Sequence, residues 1–150
     1  MYIRLLFLLY RIYTFFVRPV GTGVRVMLIQ DGQVLLVRHT YLEGWYMPGG
    51  GIKRGETTEE AARREANEEV GAEMGEVRLL GVYSNFEMNR SDHNVVFLCT
   101  DFKWNRTHDS EIAEVRFFPL TSLPEDLQPG HRRRIEEVAA GVTSPTFGRW

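Results

Sequence analysis

The chain has 150 residues, with 18 basic and 20 acidic side chains and a net charge of −2. This length is typical of a single folded domain, and the balanced charge excludes a disordered chain or a protein that coats nucleic acid. Cys99 is the only cysteine, which excludes an intramolecular disulfide and multi-cysteine metal sites and favours a reducing, cytoplasmic compartment.

The first twenty residues are apolar or aromatic almost throughout, with Arg4, Arg11 and Arg18 at every seventh position. On a helix these arginines form a narrow basic stripe. Because Arg11 divides the apolar run, a secretory signal and a spanning helix are disfavoured. We predict an amphipathic helix over residues 1–20, ahead of a domain over residues 21–150.

Three interpretations of this helix remain open. The favoured one is docking on the same domain or on a second subunit, which would give a homodimer. The second is contact with a membrane surface through residues 1–19, and the third is a signal or an anchor.

The next segments have the texture of strands. Residues 22–30 and 33–40 flank Asp31-Gly32, a strong hairpin signal, and predict two antiparallel strands. Residues 41–55 contain five glycines and Pro48, which predicts a loop. Further strands are predicted at 76–84, 94–102 and 114–120, and a short helix near 131–140.

A helix is predicted from Thr58 to Val70. Thr57 and Glu60 have the spacing of a capping box, and Gly71 supplies a stop. The strands around this helix, with a second helix near the end of the chain, predict an α/β domain whose mixed sheet is covered by helices on both faces.

Three carboxylates lie beside the apolar stripe of this helix. Glu65, Glu68 and Glu69 fall within roughly 100° of arc, and a like-charged pair four residues apart costs about 0.2–0.5 kcal/mol. Arg64 is predicted to project away from them, towards Glu60. A hard cation such as Mg²⁺, which often shares its ligand shell with phosphates, would neutralise the cluster. The alternative is a solvated charged face.

The loop and the helix together carry a long pattern of fixed spacing: Gly50, Glu56, Arg64-Glu65, Ala66, Asn67, Glu68-Glu69, Val70, Gly71 and Ala72. This pattern resembles the signature of the Nudix hydrolases (MutT-like), and the stretch from Trp45 to Gly49 is similar to that family as well. Ala66 and Ala72 replace bulkier aliphatic residues, which concerns packing more than chemistry. The resemblance covers residues from about Gly21 to Leu120.

The resemblance implies the Nudix fold, an α/β/α sandwich, and hydrolysis of a diphosphate linkage in a nucleoside diphosphate derivative with Mg²⁺ or Mn²⁺. It implies that metal is held by the Gly50 carbonyl and by the carboxylates of Glu65, Glu68 and Glu69. Glu65 is the candidate that orients or deprotonates the attacking water, and with Arg64 and Glu69 it makes up the predicted catalytic set. Arg64 and Glu56 are expected to orient the carboxylates.

Substrate-binding candidates lie outside the helix. Arg38 and His39 end the second predicted strand and could reach phosphates. Trp45 could stack on a base. Glu111 or Glu114, before the last predicted strand, could supply a further carboxylate, and Glu114 is the one retained.

The predicted partner is a nucleotide or a nucleoside diphosphate conjugate, with no nucleic acid polymer expected. The window Met88 to Arg90 lacks the family's markers for ADP-ribose and for dinucleoside polyphosphates. Nucleoside triphosphates, oxidised ones included, therefore come first, ahead of nucleotide sugars. The alternative function is a non-catalytic nucleotide-binding sensor module of the same fold.

Overall fold

The computed structural model describes residues 2–17, 20–87, 90–142 and 144–150. The helices are α1 (Tyr2–Val17), α2 (Thr58–Val70) and α3 (Pro129–Ala139). The strands are β1 (Val20–Gln30), β2 (Gln33–His39), β3 (Ala72–Met74), β4 (Arg78–Asn85), β5 (Ser91–Cys99), β6 (Phe102–Trp104), β7 (Ile112–Pro119) and β8 (Thr146–Arg149). None of the helices in these ranges is long and apolar enough to cross a membrane.

Six strands form one mixed sheet in the order β7-β2-β1-β5-β4-β8. The pairs β1–β5 and β4–β8 are parallel, and the remaining neighbours are antiparallel. Strands β3 and β6 form a separate antiparallel pair. The mixed sheet and the antiparallel pairing of β1 with β2 are confirmed, whereas β3, β6 and β8 were not predicted.

Strand β2 shows why both faces of the sheet are covered. Leu35 and Val37 pack in a cluster with the alanines of α2, and Val34 and Leu36 pack in a second cluster with Ile135 of α3. These four side chains of β2 are all fully buried. A continuous apolar run of this kind is typical of a strand that is buried on both faces. The α/β/α sandwich is therefore confirmed.

Helix α2 has the predicted limits because a capping box closes its first turn and a glycine ends its last turn. The Thr57 hydroxyl accepts from the Glu60 backbone N–H, and the Glu60 carboxylate accepts from the Thr57 backbone N–H. At the other end Gly71 has φ 67°, and its N–H donates to the last carbonyls. Glycine adopts this left-handed conformation without strain.

The segment 46–51, which we call the glycine loop, fills a gap between β1 and β2. These two strands pair directly only next to their turn. Further along, the N–H groups of Val24 and Val26 donate to the carbonyls of Gly50 and Pro48 at 2.9 and 2.8 Å. The backbone of Tyr46 exchanges hydrogen bonds with Val37 of β2. The glycine loop is thus fixed by main-chain bonds to both strands.

Helix α1 covers Tyr2–Val17, while Arg18 lies outside the described residues. Phe7 lines a cavity of the domain, and Arg90 donates a hydrogen bond to the Tyr10 hydroxyl. The division at residues 20 and 21 stays a prediction.

Candidate active site

The carboxylates of Glu65 and Glu69 lie directly against the glycine loop. The Gly49 N–H donates to Glu69 Oε2 at 2.8 Å, and the Glu69 side chain is buried. A Cβ atom at position 50 would lie 2.5 Å from Glu65 Oε1. Glycine at this position therefore allows the Glu65 carboxylate to reach the loop backbone.

These two carboxylates line a cavity of about 320 Å³, which we call the glutamate cavity. Its other walls include charged and aromatic side chains, namely Arg25, His39, Tyr41, Tyr46 and Glu111. Anionic and cationic groups thus face the same small volume, as expected where a charged ligand is held.

Burial raises the pKa of Glu69 to about 8. The Gly49 N–H and the positive charge of Arg25 act in the opposite direction, and the nearby Glu65 adds to the rise. The environment thus disfavours the ionised carboxylate that a cation would need. A cation bound beside Glu69 would reverse this preference, because an opposite charge favours the ionised form.

Arg64 links the loop and the helix through a fork of hydrogen bonds. Its Nε and Nη2 donate to the two carboxylate oxygens of Glu56 at 2.7 and 2.9 Å, and its Nη1 donates to Glu65 Oε1 at 2.6 Å. The predicted pairing with Glu60 is wrong, because the Glu60 carboxylate accepts from the N–H and hydroxyl of Thr57, at 2.8 Å each. Arg64 therefore fixes the Glu65 carboxylate.

Glu68 does not line the glutamate cavity. Its side chain is 47% exposed, and its carboxylate lies 3.2 Å from Arg64 Nη1 and 3.8 Å from Lys53 Nζ. Of the three predicted carboxylate ligands, the structure brings Glu65 and Glu69 together and leaves Glu68 at the surface.

The predicted substrate-binding residues Arg38, Trp45 and Glu114 do not line the glutamate cavity. Arg38 bonds Asp126 at 2.8 Å and covers the ring of Trp45, which is 2% exposed. Glu114 lies opposite Arg38 in the β2–β7 register and pairs with Arg116. A role for these three residues in substrate binding stays a prediction from sequence.

The alternation of side chains along β2 explains this separation. Arg38 and His39 point to opposite faces, and His39 is the one that lines the glutamate cavity. Burial and the positive charge of Arg25 lower the pKa of His39 to about 4, so its ring is neutral near pH 7. In the subfamily window, Met88 and Asn89 lie outside the described residues, and Arg90 pairs with Asp92.

Arg25 and Tyr41 line the glutamate cavity although the sequence did not predict either of them, and Arg25 is the charged one. Its Nη1 donates to the Gly49 carbonyl at 2.8 Å, and its Nε is buried with no hydrogen-bond partner among the described residues. Burial lowers the pKa of its guanidinium. An arginine inside an otherwise apolar strand was the available signal, since arginine is rarely buried without a partner.

A second cavity, of about 260 Å³, adjoins the first. Arg25, Leu42 and Tyr46 line both cavities, so the two are neighbours along one wall. The second cavity, which we call the aromatic cavity, also has Trp150 and Asn94 in its walls. A planar ring system and a polar amide are the groups that could hold a nucleobase.

The donor set of the glutamate cavity fits a hard divalent cation. Two carboxylates, Glu65 and Glu69, line the same cavity as Gly50, whose carbonyl keeps a second lone pair after it accepts from Val24. Across the described ranges, no three acidic, histidine or cysteine side chains already converge as a metal-binding group. Additional ligands would come from water and substrate phosphates, as is usual for Mg²⁺.

Gly50→Ala is expected to weaken Mg²⁺ binding by about tenfold, because the added methyl group displaces the Glu65 carboxylate. A Mg²⁺ titration of the purified protein, followed by calorimetry, measures this loss. Gly51→Ala is the matched control, since a Cβ there meets no atom within 4 Å. Equal Mg²⁺ affinity of the two variants would contradict the role of Gly50.

A family model described as NUDIX domain matches residues 18–138. The chain is 51% identical over 129 residues to an RNA pyrophosphohydrolase of Pseudomonas aeruginosa, covering 83% of this chain and 70% of that protein. It is 33% identical over 122 residues to an 8-oxo-dGDP phosphatase of Homo sapiens, covering 77% and 37%. A crystal structure of a MutT NUDIX hydrolase from Burkholderia pseudomallei superposes with a TM-score of 0.72 at 25% identity, covering 79% of this chain and 98% of that one.

Proposed function

Since the chain belongs to the NUDIX domain family and is a pyrophosphohydrolase of nucleotide derivatives, we propose that it cleaves a diphosphate linkage in a nucleoside diphosphate derivative with Mg²⁺ or Mn²⁺. The observation that carries the proposal is the pair of carboxylates, Glu65 and Glu69, held against the glycine loop in a cavity that also contains Arg25. Relatives named as enzymes favour hydrolysis over the alternative of a sensor module.

The proposed ligands of the cation are Glu65, Glu69 and the Gly50 carbonyl, with Glu68 reaching the site through a change of rotamer. When bound, a divalent cation neutralises phosphate oxygens and makes a water molecule a better nucleophile. Arg64 keeps the Glu65 carboxylate in place, and its pKa is raised by its hydrogen bonds to Glu56 and Glu65, so it stays charged.

The reaction is the attack of water on a phosphorus atom, with displacement of a phosphate leaving group in line. We assign Glu65 to accept the proton of that water, because Arg64 binds its Oε1 while the carboxylate borders the cavity. Arg25 lines the glutamate cavity, and its guanidinium is positioned to bind a non-bridging phosphate oxygen. His39 stays neutral and can donate or accept one hydrogen bond.

The two neighbouring cavities support a nucleotide lying across them. Its phosphates would occupy the glutamate cavity, and its base would lie in the aromatic cavity between Tyr46 and Trp150. Nucleoside triphosphates, oxidised ones included, are the proposed first choice. The relative named as an RNA pyrophosphohydrolase makes a triphosphorylated RNA end the competing substrate.

Arg25→Gln is expected to raise KM by about tenfold or more with a smaller change in kcat, because a charged hydrogen bond to phosphate is lost. Steady-state kinetics separates the two constants. Arg38→Gln, on the other face of the sheet, is the matched control and should leave KM near that of the wild type. A larger rise in KM for Arg38→Gln than for Arg25→Gln would assign phosphate binding to Arg38 instead.

The substrate class is tested with a panel of nucleoside triphosphates, oxidised nucleotides, ADP-ribose, nucleotide sugars, dinucleoside polyphosphates and a 5′-triphosphorylated RNA oligonucleotide. Each is incubated with Mg²⁺, Mn²⁺ or EDTA, and released phosphate, pyrophosphate and mononucleotide are measured. Metal-dependent cleavage of mononucleotides supports the proposal. Faster cleavage of the oligonucleotide would make triphosphorylated RNA the substrate in place of mononucleotides. Tight binding without cleavage of any substrate favours the sensor module.

A further inference from the structure

Helix α1 exposes an unusual amount of apolar surface. Ten of its large apolar or aromatic side chains are at least 38% exposed, and Phe16 reaches 78%. The helix touches the domain through a narrow face that contains Phe7 and Tyr10. The rest of its circumference faces away from the described domain.

Nine of these ten side chains, all except Tyr10, form a broad arc opposite this domain-facing side. At 100° per residue, the positions from Phe15 through Leu9 to Val17 span roughly 200°. Phe7 lies opposite the centre of that arc, and Arg11, one turn after Phe7, lies on the same side as the domain. The helix is therefore divided lengthwise into an apolar side and a side with arginine.

The charge of this region has one sign. Residues 1–20 contain three arginines and no aspartate or glutamate. With a net charge of −2 for the whole chain, the remaining residues 21–150 carry −5. The positive charge is thus concentrated on and beside the helix whose apolar side is exposed.

The width of the apolar arc indicates what kind of partner can cover it. A partner helix covers a stripe of about 100° on its neighbour, so a second copy of α1 would leave about half of this arc in water. A lipid surface covers a broad arc, while arginine side chains extend to anionic headgroups and the domain remains in water. We propose that α1 lies in the plane of an anionic membrane surface, with Leu9 and its neighbours inserted and Arg11 at headgroup level.

The experiment is sedimentation of the full chain with vesicles of phosphatidylcholine containing phosphatidylglycerol, compared with phosphatidylcholine alone. We expect the protein to pellet with the anionic vesicles and to bind them more weakly at high salt. Leu9→Glu is expected to lower the partition coefficient at least ~10-fold, because a charge enters the inserted side. Leu79→Glu, at a 40% exposed leucine of β4, makes the same change of charge on the domain and should bind like the wild type.

Thermal unfolding of both variants checks that the fold is intact, and this readout does not depend on the hydrolase activity. Protein that stays in the supernatant with anionic vesicles overturns the proposal. Dimers that Leu9→Glu converts to monomers would assign the arc to a second copy of the chain. Equal losses for Leu9→Glu and Leu79→Glu would show a general charge effect and would also overturn it.

Discussion

Glu69→Gln should lower kcat/KM by at least ~10²-fold, because it replaces a buried anionic ligand with a neutral amide of nearly the same shape. The amide oxygen can still accept the Gly49 N–H, so the glycine loop should keep its position. The measurement is hydrolysis of the substrate found in the panel, with Mg²⁺ varied. Turnover close to that of the wild type would remove Glu69 from the metal site.

Glu69→Gln lowers the rate, but in the absence of metal it is expected to stabilise the folded protein. Burial raises the pKa of Glu69 from 4.5 to about 8, so the folded state prefers the protonated form. The stability that this preference gives is complete below pH 4.5 and is lost as pH rises through about 8. Glutamine does not ionise, so in EDTA at about pH 9 the variant should be more stable by at least ~1 kcal/mol.

Urea unfolding in EDTA at about pH 5 and about pH 9 measures this difference. Near pH 5 the two proteins should have similar free energies of unfolding, because Glu69 is then protonated in the folded state. Added Mg²⁺ should stabilise the wild type more than the variant. A variant that is less stable than the wild type at both pH values in EDTA would contradict the cost of ionising Glu69.

Arg64→Ala should reduce kcat/KM by about 10–100-fold and weaken the response to Mg²⁺, because the Glu65 carboxylate loses the group that orients it. It should also lower the free energy of unfolding, since Glu56 and Glu65 are only 14% and 13% exposed and lose their shared cation. Arg64→Lys should restore the positive charge without the forked hydrogen bonds, and should therefore recover only part of the rate.

Arg63→Ala separates a positioning effect from simple loss of stability. Arg63 pairs with Glu59 and donates to the backbone carbonyls of Met74 and Gly75, away from the glutamate cavity. Its removal should destabilise the protein while the rate and the Mg²⁺ dependence stay near wild type. Equal rate losses in Arg63→Ala and Arg64→Ala would show that Arg64 acts only through stability.

Local signals explain what could be predicted from the sequence. The limits of α2 follow from a capping box and a terminal glycine, both of which depend on residues within four positions of each other. The α/β/α architecture follows from apolar strands and an apolar stripe on α2, which need no knowledge of distant contacts.

The missed elements depend on pairing between distant segments. Strands β3 and β6 have three residues each, which is too short for their alternation to be recognised, and β8 is exposed throughout. Strand β5 begins at Ser91, three residues earlier than predicted, because the polar residues Asp92 and His93 pair with β1 and β4 on both sides and Ser91 pairs with β1. Tertiary context outweighs strand propensity there.

In the candidate active site too, local spacing could be predicted from the sequence and contacts between distant segments could not. The spacing of the glutamates along the chain indicates that Glu65 and Glu69 can act together, but it cannot show that a glycine loop covers them and leaves Glu68 outside. Arg64 reaches Glu56, eight residues away, because the chain before α2 folds back over the helix. A pairing rule for residues on one helix face could not foresee that partner.

Because the glycine loop lies between β1 and β2, amide hydrogens of β1 report on the opening of this loop. The amide hydrogens of Val24 and Val26 are bonded to loop carbonyls and not to a neighbouring strand. Their exchange with solvent deuterium therefore requires the loop to lift, whereas amides bonded across β1 and β5 require the sheet to open. Comparing the exchange rates of these two groups measures how often the glycine loop opens, without any substrate being turned over.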